Sequence, residues 1–179
     1  GLYRELEEEN IIIKDKEVII LGAGGASNAI TYICADKGAA KIYLLNRTFD
    51  KAKKLADDVN SHFGDVVVPL AISDYRLIPE GKYPVIQTTS CGLYPHNDDA
   101  PIYDKEFYEL VEAGVDIIFN PAKTMFMKLC KESGARAYNG LKMLLYQGIA
   151  AFELWNDIKV PKNLADKILG MMERKLKES

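Results

Sequence analysis

The chain has 179 residues, 48% of them hydrophobic and 27% charged, with a formal net charge of −3. That suffices for one globular domain with a full core, and lysine and arginine are scattered rather than gathered into the stripe that nucleic acid or an anionic membrane surface requires. The longest apolar stretch, Met143–Phe152, is interrupted by Gln147 and Gly148 and is too short to cross a bilayer, no signal peptide is visible, and Cys34, Cys91 and Cys130 are spaced as reduced thiols of a cytoplasmic protein.

Leu2–Glu9 carries Leu2, Tyr3 and Leu6 among charges and reads as a short amphipathic helix. Glu17–Leu21 is the first strand. It runs into a glycine-rich corner, and a helix follows over Ala26–Lys37, with Gly38 as its stop. Lys41–Asn46 is the second strand. Phe49–His62 is a helix with Ala52, Leu55, Ala56 and Val59 at helical spacing, and Asp65–Leu70 is the third strand. A polar connection, Ser73–Lys82, leads to a fourth strand at Val85–Thr89 and a loop from Ser90 to Pro101. Asp104–Glu112 reads as a short helix that Gly114 separates from a fifth strand, Val115–Phe119. Thr124–Ser133 is helical, Ala135–Asn139 is a short sixth strand, and Leu141–Asn156 is a long helix. Pro161 precedes a last helix, Asn163–Lys177. This alternation predicts a doubly wound α/β domain over residues 1–179, a Rossmann fold. Its parallel sheet has six strands in the order 3-2-1-4-5-6, with helices on both faces.

The corner is G-A-G-G-A-S at Gly22–Ser27. A strand, a tight glycine turn and a helix make the phosphate-binding half of a dinucleotide fold. Gly22 allows the sharp turn, Gly24 lets a pyrophosphate approach the backbone, and the free N–H groups of the helix's first turn attract it. The sixth place holds Ser27 rather than the usual glycine. Serine is small enough for close helix–strand packing, and its hydroxyl is a candidate phosphate donor.

The second strand ends at Asn46-Arg47-Thr48. In this fold an acid at that place binds the ribose 2′-hydroxyl of NAD, and its replacement by an arginine accommodates the 2′-phosphate of NADP. Here the acid is absent. Arg47 offers two parallel N–H bonds, Thr48 a third, and Lys51 adds charge one turn on. The alternative is an ordinary helix start capped by Thr48 or Asp50. Cys91 and His96 lie close enough to raise a nucleophile pair, but a loop thiol near a surface histidine is the simpler reading, and the two histidines form no metal pattern with the cysteines.

Several blocks together resemble the C-terminal, cofactor-binding half of shikimate dehydrogenases. They are G-A-G-G-A-S, N-R-T at Asn46–Thr48, T-S-C-G-L at Thr89–Leu93, D-I-I-F-N-P at Asp116–Pro121 with Thr124, G-L-K-M-L-L-Y-Q at Gly140–Gln147, and A-F-E-L-W at Ala151–Trp155. They cover nearly the whole chain in order. The resemblance implies NADP as cofactor, held by Gly22, Ala23, Gly24, Gly25, Ala26 and Ser27 at the pyrophosphate. Asn46, Arg47, Thr48 and Lys51 would hold the 2′-phosphate. Thr89, Ser90 and Gly92 would lie near the ribose and nicotinamide, with Ile117, Gly140 and Met143 near that ring. Gln147 resembles the glutamine that reaches the substrate, and Phe119 stands where the family usually has a substrate-contacting tyrosine. Gln87-Thr88-Thr89-Ser90 departs from the family's N-A-T-S, a change expected to alter local packing more than chemistry.

Gly1–Leu6 resembles the segment just after the family's N-T-D motif, and the chain starts without methionine, either processed or a piece of something longer. The family's catalytic lysine and aspartate precede that point, in a substrate domain that would partner this one. No catalytic residue is therefore assigned to this chain. Lys142 is near the nicotinamide loop but has no carboxylate partner at a usable sequence spacing. The implied reaction is reversible reduction of 3-dehydroshikimate to shikimate by NADPH, and the chain alone is expected to be inactive. The last two helices are expected to leave an apolar patch around Met143, Phe152 and Trp155 for the partner domain. A quinate-type dehydrogenase half and a stand-alone, non-catalytic nucleotide-binding module are the competing readings. No metal, nucleic-acid or membrane partner is expected.

Overall fold

The computed structural model describes residues 1–178; Ser179, included in the single-domain reading above, lies outside them. Six strands form one parallel sheet in the order β3-β2-β1-β4-β5-β6. They are β1 (Glu17–Leu21), β2 (Lys41–Asn46), β3 (Val67–Ala71), β4 (Tyr83–Gln87), β5 (Val111–Asp116) and β6 (Arg136–Tyr138). The helices are α1 (Leu2–Glu8), α2 (Gly25–Asp36), α3 (Phe49–Phe63), α4 (Lys105–Glu109), α5 (Met125–Glu132), α6 (Leu141–Asn156) and α7 (Lys162–Glu178).

Side chains on a strand alternate between faces, and here both faces are buried. Val18, Ile20, Ile42 and Leu44 join Ile30, Leu55 and Val59 in one core, while Ile19, Leu21, Tyr43 and Leu45 join Val85, Phe107 and Phe126 in the other. That is why β1 and β2 read as unbroken apolar runs. A third, smaller cluster binds α6 to α7 through Leu145, Tyr146, Ile149 and Ala165.

Several boundaries differ from the expectation. β4 begins at Tyr83, two residues early, because Pro84 sits at a register shift in which its missing N–H leaves no donor unpaired. It ends at Gln87, so Thr88 and Thr89 belong to the loop above the sheet. β5 occupies Val111–Asp116 rather than Val115–Phe119, and α4 stops at Glu109. Gly114 is thus not a separator but a strand interior: a Cβ there would lie 2.7 Å from Cys130 Sγ and 3.0 Å from the Phe126 ring, so glycine lets α5 press against β5. β3 starts at Val67, where Asn60 holds the Val66 and Val67 amides on its Oδ1 at 3.1 and 2.8 Å. The expected Ser73–Lys82 connection is entered through a short 3₁₀ helix, Ile72–Leu77, that buries Tyr75. Among the described residues no helix is long and apolar enough to cross a membrane.

Candidate functional site

The carboxyl ends of β1, β2, β4 and β5 carry the loops singled out by the sequence. Gly22 turns with φ +111°, and a Cβ there would fall 2.6 Å from Thr88 Oγ1 and 3.1 Å from Thr89 Cγ2. The glycine corner and the loop after β4 are therefore in contact, and only glycine permits both the angle and the approach. Thr88 Oγ1 donates to Leu21 O at 2.7 Å, tying the two loops.

Beyond Gly22 the surface opens. Gly24, the N-cap of α2, makes no side-chain cap, and no atom lies within 4 Å of a Cβ placed on Gly24 or Gly25. The N–H groups of a helix's first turn have no intrahelical acceptor, so this end of α2 presents its donors to an open surface. That open surface and its unpaired N–H donors suit a dinucleotide pyrophosphate. Ser27 corrects the expectation of a phosphate donor. Its side chain is buried and its hydroxyl donates to Gly22 O at 2.6 Å, so serine locks the turn from behind.

At the end of β2, Asn46 Nδ2 donates to Thr48 O at 2.8 Å and braces the Asn46–Thr48 turn. Thr48 is the N-cap of α3 but makes no side-chain cap, and Arg47 is exposed and forms no ion pair among the described residues. Both side chains are free for a ligand. Sequence reading missed Asn28 and Lys54. With Ala23, Lys51, Leu55 and Asp58 they line a groove of about 510 Å³ between α2 and α3. The signal was there: Lys51, Lys54, Leu55 and Asp58 follow the helical spacing of one face.

Across the site, Gly140 precedes α6 and is pressed on Ile117. A Cβ at Gly140 would lie 2.1 Å from Ile117 O, and its own N–H donates to Ile118 O at 3.0 Å. Gly92 closes in the same way on Thr124, whose Cβ would be 3.3 Å from an added Cβ. Met143 is half-buried against the main core, whereas Gln147 and Phe119 are exposed. Gly1 meets Gln147: an added Cβ would sit 2.5 Å from Gln147 Cγ and 2.8 Å from Met143 O. Cys91 and His96 form no contact, and His96 instead faces Asp99 at 3.8 Å.

The reading of Lys142 as lacking a carboxylate partner is overturned. α1 packs on α6, so Lys142 Nζ bonds Glu9 and lies 3.9 Å from Glu8 Oε2. More than a hundred residues of chain separate these partners, which is why spacing along α6 could not reveal them. Burial lowers the Lys142 ammonium, but the bond and charge of Glu9, then Glu8 and Glu5, outweigh it and leave the pKa raised. Lys142 is a tethered cation, not a neutral base. Tyr146 Oη bonds Glu8, and Arg4 lies 4.6 Å over the Tyr146 ring. Between these contacts Glu5 is 1% exposed, with Oε2 unpartnered, and burial pushes it up to about 8. Burial also holds the Cys34 and Cys130 thiols up at about 12.

Two family models match stretches of this chain. That for shikimate/quinate 5-dehydrogenases matches residues 5–73, and that for the shikimate 5′-dehydrogenase C-terminal domain matches residues 140–167. A shikimate dehydrogenase (NADP(+)) of Carboxydothermus hydrogenoformans is 36% identical over 171 residues, covering 96% of this chain and 60% of the relative. The structure of a chorismate mutase/shikimate 5-dehydrogenase fusion protein from Clostridium acetobutylicum superposes with TM-score 0.84 at 31% identity, over 100% of this chain and 61% of that one. A shikimate dehydrogenase crystallised with NADP+ gives TM-score 0.79 at 33% identity, over 94% of this chain and 58% of that one. The chain thus spans about 60% of the length of the relatives it matches.

Proposed function

We propose that this chain belongs to the shikimate dehydrogenase family and is the part of such an enzyme that holds NADP and presents the nicotinamide to shikimate. The observation that carries this reading is the uncapped start of α2 at Gly24 and Gly25, open to solvent beside the free Arg47 and Thr48. The first-turn amides of α2 would take the pyrophosphate, and Arg47, Thr48 and Lys51 the 2′-phosphate. Thr89, Ser90, Gly92, Ile117, Gly140 and Met143 would wall the nicotinamide. When bound, that ring would supply or accept the hydride that interconverts 3-dehydroshikimate and shikimate.

Gln147 and Phe119 would face the substrate, the phenylalanine contributing shape without a hydroxyl. No acid–base pair of this chain is assigned to the substrate proton, because Lys142 is tied to Glu9 and Glu8. Those groups would come from the remaining two fifths of the enzyme. The same portion would cover the apolar face of α6 and α7, where Phe152 is 47% and Trp155 81% exposed. Met143, by contrast, already packs against the core and does not belong to that open patch.

Titration calorimetry tests the cofactor assignment. Charge-assisted hydrogen bonds contribute roughly 1.5–3 kcal/mol each, so Arg47→Ala is expected to weaken NADP about tenfold or more and to leave NAD nearly unchanged. Equal losses for both cofactors, or none for either, would remove Arg47 from the 2′-phosphate site. Mixed with shikimate and NADP, the chain alone is expected to give a flat nicotinamide absorbance. Turnover of about 1–10³ per second would show that it carries its own acid–base pair.

A further inference from the structure

Beneath the loops assigned to the nicotinamide lies a polar cluster sealed from water. Gln87 and Asp116 are fully buried, and Thr124 is 1% exposed. A carboxylate buried in this way is costly unless donors hold it, and Asp116 has three. Oδ1 accepts from the Ile118 N–H at 3.0 Å and from Gln87 Nε2 at 3.5 Å, while Oδ2 accepts from the Thr124 hydroxyl at 2.6 Å. Burial pushes Asp116 up to about 6, against the opposing pull of Thr124, Ile118 and Gln87.

Each partner reaches into a different segment. Gln87 Nε2 shares its two hydrogens among Asp116, Thr89 O at 3.3 Å and Cys91 O at 3.2 Å, and its Oε1 accepts the Thr89 N–H. Thr124 caps α5 by accepting the Met127 N–H at 3.3 Å. The Ile118 N–H fixes the chain beside Ile117, on which Gly140 rests. The extra methylene of Gln87, relative to the asparagine expected at this place, belongs to a side chain that spans both Thr89 and Cys91 in the loop above the sheet.

We propose that Asp116 is a positioning residue for the nicotinamide end of the cofactor. With Gln87 and Thr124 it clamps the loop after β4, the loop after β5 and the start of α5 into a single wall. The inference rests on the cofactor reading above, but concerns only half of the ligand. Asp116 touches no ligand atom, being wholly enclosed. A carboxylate suits the role because both its oxygens accept. An asparagine would have to turn its N–H₂ group either on the Ile118 N–H, setting donor against donor, or on Thr124, whose hydroxyl proton would then lose its acceptor.

The test separates the two halves of the cofactor. Adenosine 2′,5′-bisphosphate reproduces the adenosine half and lacks the nicotinamide. By calorimetry, Asp116→Asn is expected to weaken NADP roughly tenfold while changing the bisphosphate by less than about twofold, since one or two hydrogen bonds are displaced on one side only. Gln87→Met keeps the length of the side chain and removes its bonds to the loop; it should show the same asymmetry, and it decides the matter alone if Asp116→Asn does not fold. Equal weakening of both ligands would mean general loosening, and no weakening would mean that the wall stands without the clamp. Either overturns the inference while leaving the Arg47 assignment intact. If the unmodified chain binds neither ligand, the cofactor reading falls and takes this one with it.

Discussion

Two helices begin at the edge of the site, each preceded by a glycine, and the protein uses them in opposite ways. α2 starts at Gly24 with no cap, no neighbour within 4 Å of an added Cβ, and first-turn amides left open. α6 starts at Gly140, which is wedged on Ile117, and its first turn is already filled. Asn139 Oδ1 accepts the Leu141 N–H at 3.1 Å, and the Met143 backbone exerts a lowering pull on the pKa of the buried Glu5 carboxyl. Both ends have the partial positive charge of a helix N-terminus. Only that of α2 is left open. A glycine before a helix does not by itself make a phosphate site; what matters is whether the fold has already supplied acceptors.

Substitutions at the two glycines should break this symmetry most sharply. Gly140→Ala drives a Cβ to within 2.1 Å of a backbone oxygen that cannot swing away. Overpacking of this kind costs roughly 1–3 kcal/mol or more, a fall in Tm on the order of 10 °C in thermal unfolding followed by circular dichroism. Gly24→Ala should do the reverse. Its φ of −91° and ψ of −167° suit alanine and its surroundings are open, so Tm should hold while NADP affinity, read by calorimetry, falls about tenfold or more as the methyl blocks the pyrophosphate. If Gly24→Ala binds NADP normally, the open helix end is not the phosphate cradle. An unchanged Tm for Gly140→Ala would mean that the closed end is not closed.

The smallest expected effect comes from the acid that fills α6. Burial, against the pull of Lys142, raises Glu5 from 4.5 to about 8. Between those values the native state keeps a proton that the unfolded chain has released. Stability contributed by this group is therefore complete below about pH 4.5 and declines as pH rises toward 8. Glu5→Gln removes the titration and keeps the shape. The variant should gain several degrees in Tm relative to the parent between pH 5 and 8, at roughly 2–4 °C per kcal/mol. Parallel Tm profiles would show that Glu5 does not titrate in this window.

The sequence by itself determined the parallel sheet and its order, because apolar runs of strand length alternate with helical spacing in Ile30–Cys34 and in Ala52–Val59. It also placed the glycine corner and the Asn46–Thr48 turn, since backbone freedom at Gly22 and the residue types at the end of β2 are local properties. Local pattern misplaced β5, because Gly114 looks like a break until Cys130 and Phe126 are packed against it. Only the tertiary structure turned Ser27 inward onto Gly22 O and joined Lys142 to the acids of α1. Only it gathered Gln87, Asp116 and Thr124 into one buried clamp. Those outcomes depend on burial and on partners from distant segments, and a side chain's charge and hydrogen bonding answer to what surrounds it in space rather than to its neighbours along the chain.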